Sequence, residues 1–514
     1  MKNLIKIIFN KQEKDEKKEI PKYEEPADFE KAITAAGFGK FNVFLIFVSI
    51  PMTWMSQFET STMSYVFPAA QCDLSLSLGN KGMLNAITYA GAICSGFTWG
   101  ILMDNMGRRK LMIIGFLLDG IFTMLSSFSQ SFTFLMIMKF LGGFIMNGPF
   151  AGMTAYLSEI HSQKFRSRVP LLLGFWNSLA AIYLPLLASF IMPLDFKLVI
   201  AESLVFYPWS LYLILNSLPA IFGGLIFLLL PESPKYLMTA GRNDEALKVF
   251  QRIYSINTGN PVETYPIKTL VEEKVTQVSS SFSFREGLDQ IRPLFRAPYL
   301  KNLVLVCFLQ VFLIMGQNTL RLWTPQLFQS INDYKVYNNG SSSNLCEMLK
   351  YIQPPKNSSE CVVNTNNMEV YYNSMIVSGT TACFYILAGT LIGVLGQNRF
   401  LVLVSFFAGS FASAIYFSSN GEMATFLIAL YSGLSSLGTN GSFIVVVNLF
   451  PTTLRTMAVS LGMMFSRTAS MSGNIVFPYL LQMGCAPPFL FSACALFGGC
   501  IMAMFLPKRN ENFI

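Results

Sequence analysis

The sequence predicts an all-α membrane protein of twelve transmembrane helices, arranged as two six-helix halves with both termini in the cytosol. Of its 514 residues 52% are hydrophobic and only 13% are charged, against about 25% charged in soluble domains. Apolar runs near the length needed to cross a bilayer recur along the chain. Basic residues collect in alternate connections between those runs, as membrane orientation requires. Lipid is therefore the expected solvent, and no nucleic-acid partner is expected from the net charge of +8.

The predicted spans fall into two groups of six, separated by a polar linker. Residues 1–40 mix both charge signs without an apolar segment, so the first span is expected to act as its own insertion signal. The first half covers 41–230, the linker 231–298, the second half 299–507 and the tail 508–514. The spans are predicted at about 41–67, 82–103, 110–129, 132–157, 170–192, 210–230, 299–324, 369–394, 399–418, 422–447, 456–481 and 486–506.

Basic residues decide which connections face the cytosol. The connections after spans 2, 4 and 6 are rich in Lys and Arg, whereas those after spans 1, 3, 9 and 11 carry almost none. The linker also contains Leu247, Phe250 and Tyr254 at helical spacing, a stripe expected to pack on the cytosolic face.

A polar segment at about 326–368, between spans 7 and 8, is predicted to lie outside. It contains two glycosylation sequons, Asn339-Gly-Ser and Asn357-Ser-Ser. Two cysteines lie in the same segment, where a disulfide is favoured. The predicted bridge joins Cys346 to Cys361, with Cys72 and Cys485 as the competing outer pair.

The strongest motif follows span 2, where small, acidic and basic residues alternate at fixed spacing before span 3. Its glycines permit close helix approach and a tight reversal, and its arginines need acidic partners, for which Glu159 and Glu232 are candidates. Such ion pairs could open and close the cytosolic side; the alternative is that the arginines only anchor lipid headgroups. The motif comprises Gly100, Asp104, Gly107, Arg108, Arg109 and Lys110.

This motif resembles the loop after span 2 of the major facilitator superfamily, and the resemblance extends over nearly the whole chain. Pro231-Glu232-Ser233-Pro234 resembles a motif shared by organic-ion transporters, vesicle glycoproteins and sugar porters. Further features are similar to the synaptic vesicle glycoprotein 2 branch, including the large outer loop after span 7. They are Asn80 to Leu84, Phe175-Trp176, and Trp323 followed by Pro325.

The resemblance implies a cytosolic gate but also shows a departure. In the second half Gly393, Gly396, Gln397 and Asn398 stand where an acid, a glycine and a basic pair are expected, so a weaker lock is expected there. Lys139 stands where the superfamily has Arg in span 4. The expected gate residues are Gly100, Asp104, Gly107, Arg108, Arg109, Lys139, Glu159, Arg166, Glu232 and Arg455.

Charged residues inside spans are costly in lipid and usually face a cavity. Glu59, Asp119, Lys139 and Arg467 are such residues. One interpretation has Glu59 and Arg467, from opposite halves, meeting at a central cavity; the other is a structural ion pair. Asp119 is expected to extend toward the membrane surface or to pair with Lys139 rather than to contact solute.

Polar and aromatic residues complete the predicted site. Trp176 in span 5 is expected at the cavity, whereas Trp323 near a span end suits packing or an interfacial position. The predicted solute-binding residues are Glu59, Trp176, Asn177, Gln310, Gln317, Trp323 and Arg467, with Asn318 as a further candidate.

The sequence contains no nucleotide-binding loop, metal-ligand cluster or nucleophile–base set, so neither an enzyme nor a cofactor is expected. The expected function is secondary-active or facilitative transport of a small organic solute by alternating access, with an organic ion as the preferred solute. A proton and sodium are the candidate coupling ions, and uncoupled transport stays open. Two alternatives stay open: a non-transporting vesicle-type glycoprotein that acts through partner binding, and a hexose porter. The expected location is the plasma membrane or an intracellular vesicle.

Overall fold

The computed structural model describes residues 26–166, 169–202, 204–272, 292–352, 367–450 and 452–507. Within these ranges twelve helices have 18 or more residues, and seven of them are long and apolar enough to cross a membrane. The first half contains α2 (Lys40–Ala70), α3 (Leu78–Met106), α4 (Arg108–Ser126), α5 (Phe132–Ile160), α7 (Val169–Ile191) and α8 (Pro208–Phe227). The second half contains α11 (Tyr299–Tyr337), α13 (Met368–Leu395), α14 (Gln397–Ala414), α15 (Gly421–Leu449), α16 (Thr452–Met483) and α17 (Ala486–Met504).

Shorter elements lie in the connections between these helices. An antiparallel hairpin of two short strands precedes α8, with Val199 paired to Val205. The short elements are α1 (Phe29–Ala35), α6 (Gln163–Arg166), β1 (Leu198–Ala201), β2 (Leu204–Phe206), α9 (Pro234–Thr239), α10 (Asn243–Thr258) and α12 (Leu345–Met348).

The connections gather at two ends of the bundle. One end, called here the cap end, carries 71–77, 127–131, 192–207, 338–352, 415–420 and 484–485. Gln130 Nε2 donates to the Val205 carbonyl at 2.8 Å, and the Leu345 N–H donates to the Ser418 carbonyl at 3.1 Å. The opposite end, the linker end, carries the turns at Gly107 and Gly396 together with 228–272.

Side-chain caps and glycine turns fix where several helices begin. Ser77, Ser131 and Asn420 each accept a hydrogen bond from the backbone N–H three residues later, at the starts of α3, α5 and α15. Gly107 and Gly396 separate the second and third helices of their halves with φ of 87° and 74°. Because a side chain is disfavoured in this left-handed region, both reversals require glycine.

The predicted apolar stripe of the linker packs on the first half. Phe250 and Tyr254 are buried, and Leu247 is half-buried against the same core. The segment before α2 joins them, because the Ala27 N–H donates to the Thr269 carbonyl at 3.0 Å. The chain before α2 and the linker therefore form one layer at the linker end of the first half.

Helix α11 is longer than the predicted span and continues to Tyr337, so the outer segment does not begin at residue 326. Leu327, Phe328 and Ile331 are buried in the same cluster as Leu345 and Met348 of the cap. Packing of this apolar face keeps the polar extension helical. Asn339 of the first sequon is exposed after the helix ends, whereas Asn357 lies outside the described residues.

The predicted Cys346–Cys361 bridge is wrong. Cys346 forms a disulfide with Cys485, which lies between α16 and α17. Cys72 is disulfide-bonded as well, and Cys361 lies outside the described residues. The structure thus combines one cysteine from each of the two predicted pairs, a choice that spacing along the chain cannot make.

Candidate solute-binding site

A cavity of about 240 Å³ lies between the two halves. Helices α2 and α7 line it from the first half, and α11, α13 and α15 line it from the second. The lining is mostly polar, and in the part of the chain that the structure describes it contains no carboxylate. Hydroxyl and amide groups dominate, including those of Gln57, Ser61, Tyr65, Asn177, Ser178, Gln317, Asn318, Thr381, Tyr385, Ser436 and Asn440.

Arg321 of α11 supplies the charge of this cavity. Its Nη1 lies 3.3 Å from Ser61 Oγ of the opposite half, and its Nε lies 3.3 Å from Asn318 Oδ1. Both partners are neutral and both hydrogen bonds are long. A guanidinium therefore faces the cavity without a carboxylate to balance it.

The predicted contact between Glu59 and Arg467 is not formed. Glu59 Oε1 lies 2.8 Å from Lys139 Nζ of α5, and Glu59 Oε2 accepts a hydrogen bond from Thr123 Oγ1 at 3.1 Å. Asp119 is buried beside them and interacts electrostatically with both charges. Glu59 thus belongs to a buried charged cluster inside the first half, with Asp119 near Lys139 as expected.

Arg467 of α16 points toward the first half but does not line the cavity. Its Nη1 lies 3.3 Å from the Ala92 carbonyl of α3. Both Arg467 and Arg321 interact electrostatically with the buried hydroxyl of Tyr89. The second half therefore presents two guanidinium groups to neutral acceptors of the first.

Three of the predicted amides line the cavity, including the further candidate Asn318, whereas other predicted residues pack elsewhere. Asn177 and Gln317 are lining residues, and Gln317 Nε2 donates to Ser436 Oγ at 2.7 Å. Trp176 is buried in the core of the first half, and Gln310 is buried against Ser466 at 3.4 Å. Trp323 is fully buried and stacks on Phe477, with ring centroids 4.9 Å apart. Cavity roles for Trp176, Gln310 and Trp323 were therefore wrong, because the faces that carry them turn into the cores.

At the cap end the halves are joined through Lys81. Its Nζ donates to Gln71 Oε1 at 2.7 Å and to Gln326 Oε1 of the opposite half at 2.8 Å. Gly82 packs so closely on α16 that an added Cβ would lie 2.8 Å from the Asn474 carbonyl and from the Pro478 ring. These contacts close the cavity toward the cap end.

At the linker end the gate candidates contact one another within the first half. Arg108 Nε lies 3.7 Å from Glu159 Oε1, and the Arg109 N–H donates to Glu232 Oε1 at 3.0 Å. The Arg109 guanidinium donates to the carbonyls of Phe227 and Leu228 at 3.2 and 2.6 Å. These contacts tie the turn at Gly107 to the ends of α5 and α8.

Arg166 contributes to the same end of the first half. It donates to the Ser158 carbonyl at 2.9 Å and forms an ion pair with Glu30 of α1 at 2.6 Å. The backbones of Gly100, Asp104 and Arg455 lie in α3 and α16, but their side chains fall outside the described part of the structure.

The second half retains the turn in a neutral form. Asn398 Nδ2 donates to the carbonyls of Leu506 and Pro507 at 3.4 and 3.2 Å. This contact corresponds to that of Arg109 with the end of α8, since each residue is the second after the glycine that begins its third helix. The second half therefore keeps the contact between this turn and the end of its last helix. It lacks the positive charge that Arg109 supplies in the first half.

Sequence reasoning missed Arg321 and Lys81. Arg321 lies three residues before the end of the predicted span 299–324, so the rule that singled out Glu59 and Arg467 applies to it equally. Lys81 lies one residue before the predicted span 82–103 and was named only as part of the Asn80 to Leu84 resemblance, without a role at the interface. The structure buries it within α3.

A family profile described as "Sugar (and other) transporter" matches residues 31–338, which is more than half of the chain. The chain belongs to this family. Together with the apolar helices, membership makes it a multi-pass membrane protein and a transporter homologue.

The relatives found are synaptic vesicle glycoproteins. The chain is 25% identical to synaptic vesicle glycoprotein 2B of Rattus norvegicus over 326 residues, which cover 59% of this chain and 48% of that protein. It is 28% identical to glycoprotein 2C of Homo sapiens over 48% of this chain and 34% of that protein. These matches span half or less of the relatives' length, whereas glycoprotein 2B of Homo sapiens aligns at 21% identity over 95% of this chain and 86% of its own.

Solved structures share the fold. The partially occluded inward-open conformation of the xylose transporter XylE from E. coli superposes with a TM-score of 0.65 at 14% identity, covering 91% of this chain and all of that one. A D-xylose–proton symporter gives a TM-score of 0.63 at 13% identity, over 92% of this chain and 98% of its own. The fold is thus the all-helical fold of the major facilitator superfamily.

Proposed function

We propose that this chain moves a small organic ion across a membrane by alternating access, with six spans in each half and both termini in the cytosol. The observation that carries the proposal is the polar cavity between the halves, whose lining comes from both of them. Because each half contributes lining residues, rocking of one half against the other would change access to a solute held there. Family membership and the shared fold support the same mechanism.

The contacts of Lys81 suggest which side is closed. They join the halves at the cap end, so the structure corresponds to a state open toward the linker end. We propose that the linker end faces the cytosol, in agreement with its basic residues. Gel mobility before and after glycosidase tests this sidedness. A shift that disappears in the double variant Asn339→Gln, Asn357→Gln supports it, and no shift in the parent chain contradicts it.

The buried charges of the first half suggest proton coupling. Two carboxyl groups, Glu59 and Asp119, share one ammonium group, Lys139, so neutrality of the cluster requires one proton more than ionised side chains supply. A fold neighbour is titled a D-xylose–proton symporter. We propose that this cluster is where a coupling proton binds and leaves.

Uptake by proteoliposomes tests transport directly. Purified full-length protein is reconstituted, and uptake of labelled carboxylates, amines and xylose is measured with and without an inward proton gradient. At least one solute should accumulate above protein-free vesicles, and Glu59→Gln should abolish the response to the gradient. If no solute accumulates under any gradient, the transport proposal fails and a non-transporting glycoprotein is favoured.

A hexose porter is the second candidate. The observation behind it is the number of hydroxyl and amide groups in the cavity, which suit sugar hydroxyls, and the family profile includes sugars among other solutes. Saturable uptake of a labelled hexose such as glucose, which carboxylates do not inhibit, would decide for this alternative.

A further inference from the structure

Charged side chains inside the two halves differ in their partners, and this difference indicates the charge of the solute. In the first half, the acidic residues nearest the centre are already engaged with Lys139. In the second half, Arg321 and Arg467 have only neutral oxygen atoms as partners. In the described part of the chain no carboxylate lies within ion-pair distance of either guanidinium.

Arg321 and Arg467 are half-buried among helices. A guanidinium held there is costly unless an opposite charge or several short hydrogen bonds accompany it. The hydrogen bonds of Arg321 and Arg467 to the first half are each 3.3 Å long. An N–H group bonded to a charged partner is typically held at 2.7–2.9 Å. The protein alone therefore leaves both cations undercompensated, and an anion in the cavity would complete the site.

The position of Arg321 suits a ligand-binding role better than a structural one. It lines the cavity at the interface, where its guanidinium also touches Ser61 of the opposite half. A ligand bound there would contact both halves at once. Arg467 stands behind it across Tyr89 and adds positive potential without entering the lining.

The remaining lining fixes the chemical class further. Arginine prefers planar acceptors that accept two parallel hydrogen bonds, as a carboxylate does. Gln57, Asn177 and Gln317 supply amides, and Tyr65 and Tyr385 supply rings with hydroxyl groups. A volume of about 240 Å³ admits only a small molecule.

We propose that the solute of the central cavity is a small organic carboxylate, whose anionic group binds Arg321 while Arg467 supplies supporting positive charge. This rests on the proposed transport function and specifies its substrate class. A neutral sugar would leave both guanidinium groups without an opposite charge. An organic cation would add a third positive charge to the same region.

Matched probes test the sign of the solute. The thermal midpoint of the purified full-length chain is measured with three carboxylates and with their uncharged amides, namely benzoate with benzamide, lactate with lactamide and succinate with succinamide. Benzylamine is the cationic probe, and sodium chloride is held constant. At least one carboxylate should raise the midpoint in a saturable manner, while its amide and benzylamine do not.

Variants assign the effect to Arg321. Arg321→Gln should weaken apparent carboxylate affinity by about tenfold or more, Arg321→Lys by less, and Arg467→Gln by an intermediate factor. Lys248→Gln, which removes an exposed positive charge on α10, should bind as the parent chain does. Without ligand, the thermal midpoint of Arg321→Gln should equal or exceed that of the parent. If Arg321 instead stabilised the fold, its removal would lower the midpoint.

Three outcomes overturn the proposal. They are equal stabilisation by an amide or by benzylamine, unchanged affinity in Arg321→Gln, and no stabilisation by any carboxylate. Uptake measurements separate this failure from that of transport. If xylose accumulates and Arg321→Gln carries it as the parent does, transport stands and the carboxylate assignment falls. If carboxylates bind but no solute accumulates, the cavity is still a carboxylate-binding site and the transport proposal fails.

Discussion

In the first half Lys139 Nζ lies 2.8 Å from a Glu59 oxygen within the same six helices, whereas in the second half Arg321 and Arg467 reach across to neutral oxygens of the first. The two turns at the linker end differ in the same sense. Arg109 and Asn398 make corresponding contacts with chain-end carbonyls, one with a charge and one without. The first half pairs its buried charges with one another, while the second half directs half-buried positive charge to the interface.

The two sets of six long helices share one arrangement but differ in how they place charge, so they can serve different roles in the proposed mechanism. In the proposed mechanism, the first half, whose buried charges are paired internally, holds the coupling proton. A half with exposed positive charge at the interface can recognise an anion. Lys139→Met and Arg467→Met form a matched pair that tests this division, and three further predictions follow in order of decreasing expected effect.

Lys139→Met should lower the free energy of unfolding by about 3–5 kcal/mol, because it leaves the Glu59 carboxylate buried beside Asp119 without its partner. Chemical denaturation in mixed micelles measures the change. Adding Glu59→Gln should recover most of the loss.

Arg467→Met is the matched test in the second half. Removing this cation leaves no buried acid without a partner. The free energy of unfolding of the solute-free protein should therefore change by less than about 1 kcal/mol. Equal losses for Lys139→Met and Arg467→Met would contradict the contrast between the halves.

Gly142→Ala should destabilise the first half by about 1–3 kcal/mol through overpacking. An added Cβ would lie 2.4 Å from Glu59 Oε1, so the charged cluster must shift to accommodate it. The control is Gly379→Ala in α13, where no atom lies within 4 Å of the added Cβ. The control should be neutral or slightly stabilising, since alanine favours helices over glycine. Similar losses at both glycines would mean that Glu59 is not held at this position.

Arg109→Ala should lower the free energy of unfolding by about 1.5 kcal/mol, and Asn398→Ala should lower it by about 0.5 kcal/mol. The difference is expected because a charged donor binds carbonyl groups more strongly than a neutral one. Thermal unfolding of both variants under one detergent condition measures the difference. A larger loss for Asn398→Ala would show that charge is not what distinguishes the two turns.

The smallest expected effect is a pH dependence at the linker end of the first half. Burial lowers the pKa of His161, although its hydrogen bond to the Leu157 carbonyl opposes this. The unfolded chain therefore binds a proton more readily than the folded one. The stability contributed by neutral His161 is complete above about pH 6.5, the ordinary histidine value, and is lost as the pH falls through the folded pKa.

His161→Gln should remove that part of the acid sensitivity. His161 is the only histidine of the chain, so the pH profiles of parent and variant differ at this group alone. Identical slopes of stability between pH 5 and pH 7 would contradict the burial of a neutral ring.

Much of the fold followed from the sequence because hydropathy and charge are local signals. The twelve long helices follow the predicted spans in order, and Arg108 lies beside Glu159 as expected. Glu232 instead accepts a hydrogen bond from the backbone N–H of Arg109, whose guanidinium binds carbonyl groups. What sequence could not give is helix rotation, which depends on packing against neighbours. Trp176 and Asn177 are adjacent, yet one turns into the core and the other lines the cavity. For the same reason Glu59 meets Lys139 rather than Arg467.

The long helix α11 joins two places that are usually remote from one another. From Arg321 in the cavity to Tyr337 at the helix end the rise is about 24 Å at 1.5 Å per residue, and Asn339 follows two residues later. Asn339 is exposed, so a bulky group attached there would lie at the cap end of the chain segment whose helix carries Arg321. An antibody fragment that binds there would contact the same helix that carries Arg321, without entering the cavity.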